Sequence, residues 1–144
     1  MSAADPIVLA LQIAAGEAAS ARYPEVTPAH LLIGLSRLSE GDMGAEDAAA
    51  AVRREFQLLG VEARAFRRRL RTLLGSGPAT QAGGPVEPSA DCREVLNAAA
   101  ALAAQAGRPM SAEHLFVAAL MSLARGGRGS GGSRTSTDPI PDEL

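Results

Sequence analysis

The chain predicts an all-α fold, and three observations carry that prediction. Aromatic residues make up only 3% of the 144 residues, with no Trp, one Tyr and three Phe, so the core must be built from Ala, Leu and Val. Such a core suits closely packed helices, because Ala has the highest helix propensity and strand formers are scarce. Helix-start devices recur along the chain: Asp5-Pro6, Thr27-Pro28, Ser89 and Ser111, each followed by apolar residues three and four apart. A length of 144 residues with 47% apolar and 21% charged residues is enough for one domain with a sizeable core.

Each element follows from local signals. Asp5 caps the first helix and Pro6 takes its first position; Ile7, Leu11, Ala14, Ala15 and Ala18 recur at helical spacing up to about Arg22. Tyr23-Pro24-Glu25-Val26 breaks it. Thr27-Pro28 repeats the device and opens a second helix with Leu31, Leu32, Leu35 and Leu38, followed by a loop over 39–44. A third helix runs from about Ala45 to Leu59 with a stripe of Ala48, Val52, Phe56 and Leu59, and Gly60 is its C-cap. The fourth, from about Glu62 to Leu74, buries Phe66, Leu70 and Leu73. Residues 75–88, rich in Gly, Pro, Ser and Thr, read as a linker. Ser89 then caps a fifth helix with Val95, Leu96, Ala99, Leu102 and Ala106, and Ser111 a sixth with Leu115, Phe116, Ala119, Leu120 and Leu123. Residues 125–144 read as a flexible Gly/Ser-rich tail.

Internal repetition is the most informative feature. Shifted by 84 residues, Val26-Thr27-Pro28-Ala29-His30-Leu31-Leu32-Ile33 falls on Met110-Ser111-Ala112-Glu113-His114-Leu115-Phe116-Val117. Both histidines of the chain occupy the third helical position after a hydroxyl cap, ahead of three apolar residues. An Ala-rich helix and a proline-containing turn precede each match.

This ordered set resembles the Clp repeat domain, the N-terminal domain of the Clp AAA+ unfoldases. Glu17-Ala18-Ala19, Val26 to Leu35, Leu58-Leu59-Gly60-Val61, Pro88 to Leu96 and Ser111 to Leu115 carry the resemblance, which covers about residues 5–124. It implies a double repeat of helices with pseudo-twofold symmetry: repeat one over 5–74, the linker 75–88, and a partial repeat two over 89–124, together one Clp-repeat domain over 1–124. The family's second repeat continues into two more helices. Here the glycine-rich tail begins instead, so about six helices stand where eight are usual and the last two lack their usual cover.

Charge and motifs exclude several function classes. A net charge of −2 argues against a general binder of nucleic acid or anionic membrane. All fourteen basic residues are Arg, so no phosphate-binding loop ending in Gly-Lys-Ser/Thr exists in this chain and the ATPase activity of the full unfoldases cannot reside in it. Cys92, the single cysteine, has no disulfide or zinc partner. His30 and His114 are the acid–base or metal candidates by residue type, yet a half-buried structural histidine beside a helix cap explains them as well. Arg64, Arg67, Arg68, Arg69 and Arg71 crowd the fourth helix, where a solvated face is the plainer alternative to a nucleic-acid site. No catalytic, cofactor-binding or metal-binding residue is assigned. The N-terminus lacks the pattern of a signal peptide and the apolar windows are too short to span a bilayer, so the expected location is the cytoplasm.

The resemblance implies a binding module, not an enzyme. It would dock client segments or an adaptor protein onto a Clp-type ATP-dependent unfoldase in protein quality control, using an apolar groove between the repeats and polar residues at the second-helix starts, Thr27, Ser111 and Glu113. In some relatives the acidic residue before the repeat histidine reads the guanidinium of a phosphorylated arginine on a client. The second repeat keeps it as Glu113 and the first has Ala29; a role for Glu113 in favouring the helix N-terminus is the alternative. Two other functions stay open: a freestanding adaptor that binds a Clp ATPase in trans, and an Arg-rich helical nucleic-acid binder.

Overall fold

Caps and left-handed ends divide the chain into helices where the sequence places them. The structure, a computed structural model, describes residues 5–40, 45–78 and 86–126. Positions 41–44 of the loop, 79–85 of the linker and 127–144 of the tail lie outside the described residues. Among the described residues are α1 (Pro6–Ser20), β1 (Glu25–Val26), α2 (Pro28–Leu38), α3 (Glu46–Leu59), α4 (Ala63–Leu74), β2 (Glu87–Pro88), α5 (Ala90–Gln105) and α6 (Ala112–Gly126). The fold is all-α. The starts are satisfied by side chains: Asp5 accepts from the Ile7 N–H at 2.9 Å and Ser89 Oγ from the Cys92 N–H at 3.0 Å.

Three helices end with the same left-handed device. After α3 and α5, Gly60 and Gly107 adopt φ of 70° and 68°, and the next N–H bonds back to Phe56 and Ala103. After α1 the same place is held by Arg22, at φ 68°, with the Tyr23 N–H on the Ala18 carbonyl. An L side chain in that conformation is strained, so the first repeat retains a cost that the second avoids.

Small residues let the helices approach closely. α1 buries Ala10, Ala14 and Ala18 against α2, and a Cβ built on Gly34 would lie 2.6 Å from the Ala10 carbonyl oxygen. α5 repeats the stripe with Val95, Ala99 and Ala103 against α6, where Ala118 stands at the place of Gly34. The three phenylalanines form one cluster across the repeats. Phe56 of α3 meets Phe116 of α6 at 4.9 Å between ring centres and Phe66 of α4 at 5.4 Å, both edge-on. Truncating a buried Phe costs about 3–5 kcal/mol, a large part of a domain's stability, so this cluster is a main tie between the two halves.

Three apolar assignments fail, one of them Ala106, which lies past the end of α5 and is exposed. Leu59 is 50% exposed and Leu73 is 78% exposed. The α3 stripe is Ala49, Val52 and Phe56, and Leu59 lies one turn past the Phe56–Phe116 contact, beside the left-handed Gly60. In α4 the inward face is Ala63, Phe66, Arg67, Leu70 and Leu74, rotated by roughly 50° from the face that Phe66, Leu70 and Leu73 would centre. The rotation follows from Arg67, whose side chain is only 11% exposed and lies on α2.

One pairing left no signal in the sequence. β1 and β2 are parallel, Glu25 beside Glu87 and Val26 beside Pro88, and the Ser89 N–H donates to the Val26 carbonyl at 2.9 Å. Two residues are too few for an alternating pattern. The pair joins the starts of α2 and α5. At the other end of the linker, the Gly77 N–H donates to the Ala21 carbonyl at 2.7 Å, and a Cβ on Gly77 would collide with the Arg22 carbonyl.

Two substitutions should therefore move stability in opposite directions in thermal melts. Arg22→Gly relieves the left-handed strain and raises stability by about 0.5–1 kcal/mol. Gly34→Ala drives a methyl into the α1 backbone and lowers it by about 1–3 kcal/mol.

Candidate binding site at the two helix starts

The starts of α2 and α6 are built alike. At the first, the Thr27 N–H donates to His30 Nδ1 at 3.1 Å, Thr27 Oγ1 lies 2.9 Å from the same nitrogen, and Oγ1 accepts from the His30 N–H at 3.4 Å. This is a capping box in which an imidazole replaces the usual carboxylate or amide. At the second, the Ser111 N–H donates to His114 Nδ1 at 3.1 Å and Ser111 Oγ lies 2.9 Å from it. A ring nitrogen that accepts a backbone N–H carries no proton, so the His30 imidazole is neutral.

His30 is buried, and its ring meets that of Tyr23 edge-on at 4.7 Å. Its Nε2 is buried without a hydrogen-bond partner among the described residues. Burial pushes its pKa down to about 4, against an opposing pull from Glu17. Tyr23 in turn donates its hydroxyl to the Leu74 carbonyl, fixing the α1–α2 turn to the end of α4. Both histidines thus act in the caps, and both are buried where the sequence suggests half-burial.

Thr27 and Ser111 are half-buried N-cap residues, with their hydroxyls on the histidines. Glu113 lies in the first turn of α6 with its side chain 26% exposed, and its Oε2 accepts from Arg108 Nη2 at 3.2 Å. Ala29, at the matching position of α2, is buried. Arg108 was not singled out in the sequence; a guanidinium in the turn five residues before an acid was the available signal.

Packing accounts for Cys92 and for part of the arginine cluster. Burial pushes the Cys92 thiol up to about 11 despite the neighbouring Arg93, so it stays protonated and unreactive near neutral pH. Among the described residues, no three His, Cys, Asp or Glu side chains come together as a metal site. Of the α4 arginines, Arg67 bonds Glu40 at 2.9 Å and Ser36 at 3.3 Å, Arg71 bonds Glu17 at 2.6 Å, and Arg64 lies 3.8 Å from Glu40. Arg67 and Arg71 thus hold α4 on α1 and α2, whereas Arg68 and Arg69 are exposed with no carboxylate partner among the described residues. A cleft of about 600 Å³ lies where α2, α3 and α4 meet, floored by Phe56 and Val61 and flanked by Glu40, Arg53 and Arg64.

The sequence profile of the Clp repeat N-terminal domain matches residues 5–127, most of the chain. The chain belongs to the Clp repeat N-terminal domain family. Comparison with curated proteins found no match. The Clp repeat domain is a non-catalytic unit associated with Clp-type ATPases. Among the described residues no helix is long and apolar enough to cross a membrane.

The buried neutral His30 sets a pH dependence. Its ordinary pKa is 6.5 and its folded value about 4. Above pH 6.5 the ring is neutral in both states and stability is full. As pH falls below 6.5 the unfolded chain takes a proton that the fold refuses, so stability drops down to about pH 4. Between pH 6.5 and 5 the loss attributable to His30 is about 2 kcal/mol. Denaturant titrations at pH 7.5, 6 and 5 should show it, and His30→Gln, which keeps a capping side chain, should flatten that part of the profile.

Proposed function

We propose that this Clp repeat domain is a cytoplasmic protein-binding module that docks client segments, or an adaptor, onto a Clp-type ATP-dependent unfoldase. The observation that carries the reading is Glu113: a partly exposed carboxylate at the start of α6 that already holds a guanidinium, that of Arg108, at 3.2 Å. Thr27 and Ser111 head the two helix starts, and Ser111 stands two residues before Glu113. A client guanidinium, free or phosphorylated, is the chemistry this carboxylate suits. With Ala29 in the first repeat, the module has one such position and not two.

Magnitudes favour exchange at Glu113. An exposed ion pair such as Arg108–Glu113 contributes about 0.2–1 kcal/mol, whereas a well-formed hydrogen bond to a charged group contributes about 1.5–3 kcal/mol. A client that docks bidentately therefore displaces Arg108. The freestanding adaptor acting in trans is the second reading; it shares this surface and differs in which chain supplies the motor. The nucleic-acid reading is disfavoured, because Arg67 and Arg71 are tied to carboxylates of their own chain.

Calorimetric titration with a peptide carrying phosphoarginine tests the site. Glu113→Ala should weaken binding by about tenfold with an unchanged melting temperature, and Arg108→Ala should tighten it by about twofold to fivefold. Equal loss of binding and of melting temperature in Glu113→Ala would reduce Glu113 to a helix-start residue. Adding a purified Clp-type ATPase separates the two readings, since only the adaptor binds it in trans.

A further inference from the structure

The helix pair α5–α6 lacks the cover that α4 gives to α1–α2. α4 is held there by Arg71 on Glu17 and by Arg67 on Ser36 and Glu40. In the register that superposes the buried stripes, with Ala14 on Ala99 and Ala18 on Ala103, Glu17 corresponds to Leu102. In the register of the histidines, Ser36 corresponds to Leu120 and Glu40 to Ala124. Each polar group that binds α4 is thus replaced by an apolar one. The face rejects an arginine-bearing helix and suits an apolar partner.

That face is open among the described residues. Met121 is 51% exposed, and Val117 and Leu120 are half-buried where their counterparts Ile33 and Ser36 are buried. A cleft of about 140 Å³ beside them is lined by Ala98, Ala101, Leu102 and Met121, with Arg125 at its edge. At about 100° per residue, Glu113, Val117, Leu120, Met121 and Ala124 share one face of α6, and Arg125 borders it. The face therefore has a carboxylate at its first turn, a guanidinium twelve residues later, and apolar side chains between. Turned end for end, this pattern is complementary to itself.

We propose that two copies of the chain associate through this face, with α6 against α6, antiparallel, about a twofold axis near Ala119 and Leu120. Met121 of each copy packs against Val117 of the partner subunit, and each Arg125 pairs with the partner's Glu113. Arg108 engages Oε2 of Glu113, which leaves Oε1 for the second guanidinium. An isologous contact of this kind closes on itself and adds no further copies.

Sedimentation velocity of the full chain between about 5 µM and 0.5 mM tests the proposal. A reversible monomer–dimer equilibrium is expected. Met121→Arg and, as a second variant, Ala124→Glu should each raise the dimer dissociation constant by about tenfold or more, because they bury an unpaired charge. Both positions are exposed in the monomer, so melts of dilute samples should be unchanged. Arg125→Glu should weaken the dimer and Arg125→Glu with Glu113→Arg should restore it. A chain that stays monomeric throughout, or a dimer indifferent to Met121→Arg and Ala124→Glu, overturns the proposal and leaves the face to a partner of another sequence. A dimer weakened by those two variants but not restored by the charge exchange overturns the antiparallel pairing. None of these readouts depends on a client, so this proposal and the docking function can fail separately.

Discussion

A neutral imidazole at the third position of α2 is the constraint from which much of the structure follows. α2 is buried along nearly its whole length and touches every other helix of the described chain. Its first turn must satisfy its backbone donors without water. A capping box normally does this with Glu or Gln, but a carboxylate would bring a charge into a site where His30 is almost without solvent. The imidazole accepts at Nδ1, remains uncharged, and offers an apolar ring edge to Tyr23. The same group that completes the cap therefore also fixes the α1–α2 turn and, through Tyr23, the end of α4.

The second repeat copies that start and then departs from the first. α6 has its own Ser–His cap, and α5 its own small-residue stripe, so the two helix pairs are built on one plan. What differs is how the outer face is finished. In the first repeat Glu17, Ser36 and Glu40 take the arginines of α4, while in the second the matching side chains are apolar. An apolar substitution at three matched places is coherent: a face that never meets α4 has no use for partners to its guanidinium groups. The Phe56–Phe116 contact shows the reverse dependence, since α3 of the first repeat supplies the ring that packs on α6.

The parts legible in the sequence are those governed by local rules. Asp5, Thr27 and Ser89 cap the helices where they stand, Gly60 ends α3, and the histidine register revealed the repeat. Structure departs from local rules where a distant partner decides the outcome. Leu73 is apolar and in phase with Phe66, which predicts an inward side chain; the helix instead turns Arg67 toward Ser36 and Glu40. No periodicity reports that an arginine will face inward, since the acceptors lie on another helix. β1 and β2 escaped notice for the same reason, being two residues each and paired across the chain. At the candidate site, Glu113 and its cap were readable from spacing, whereas its partner Arg108 was a product of the turn geometry after Gly107.

The repeat asymmetry also bears on where recognition can occur. In the first repeat the ionic groups named above are satisfied within the chain: Glu17 with Arg71, Glu40 with Arg67. An external guanidinium would have to displace a side chain that is held by two helices, and Arg67 is nearly buried. In the second repeat the contact of Glu113 within the single described chain is Arg108, a largely exposed residue of a turn, so displacement breaks one weak contact and leaves the fold intact. Ala29 removes the acid from the corresponding first-repeat start, and its burial leaves no room there for a solvated charge. Structural rigidity thus concentrates on one half of the domain and exchangeable contacts on the other. A change at Glu113 therefore leaves untouched the buried imidazole that holds α2.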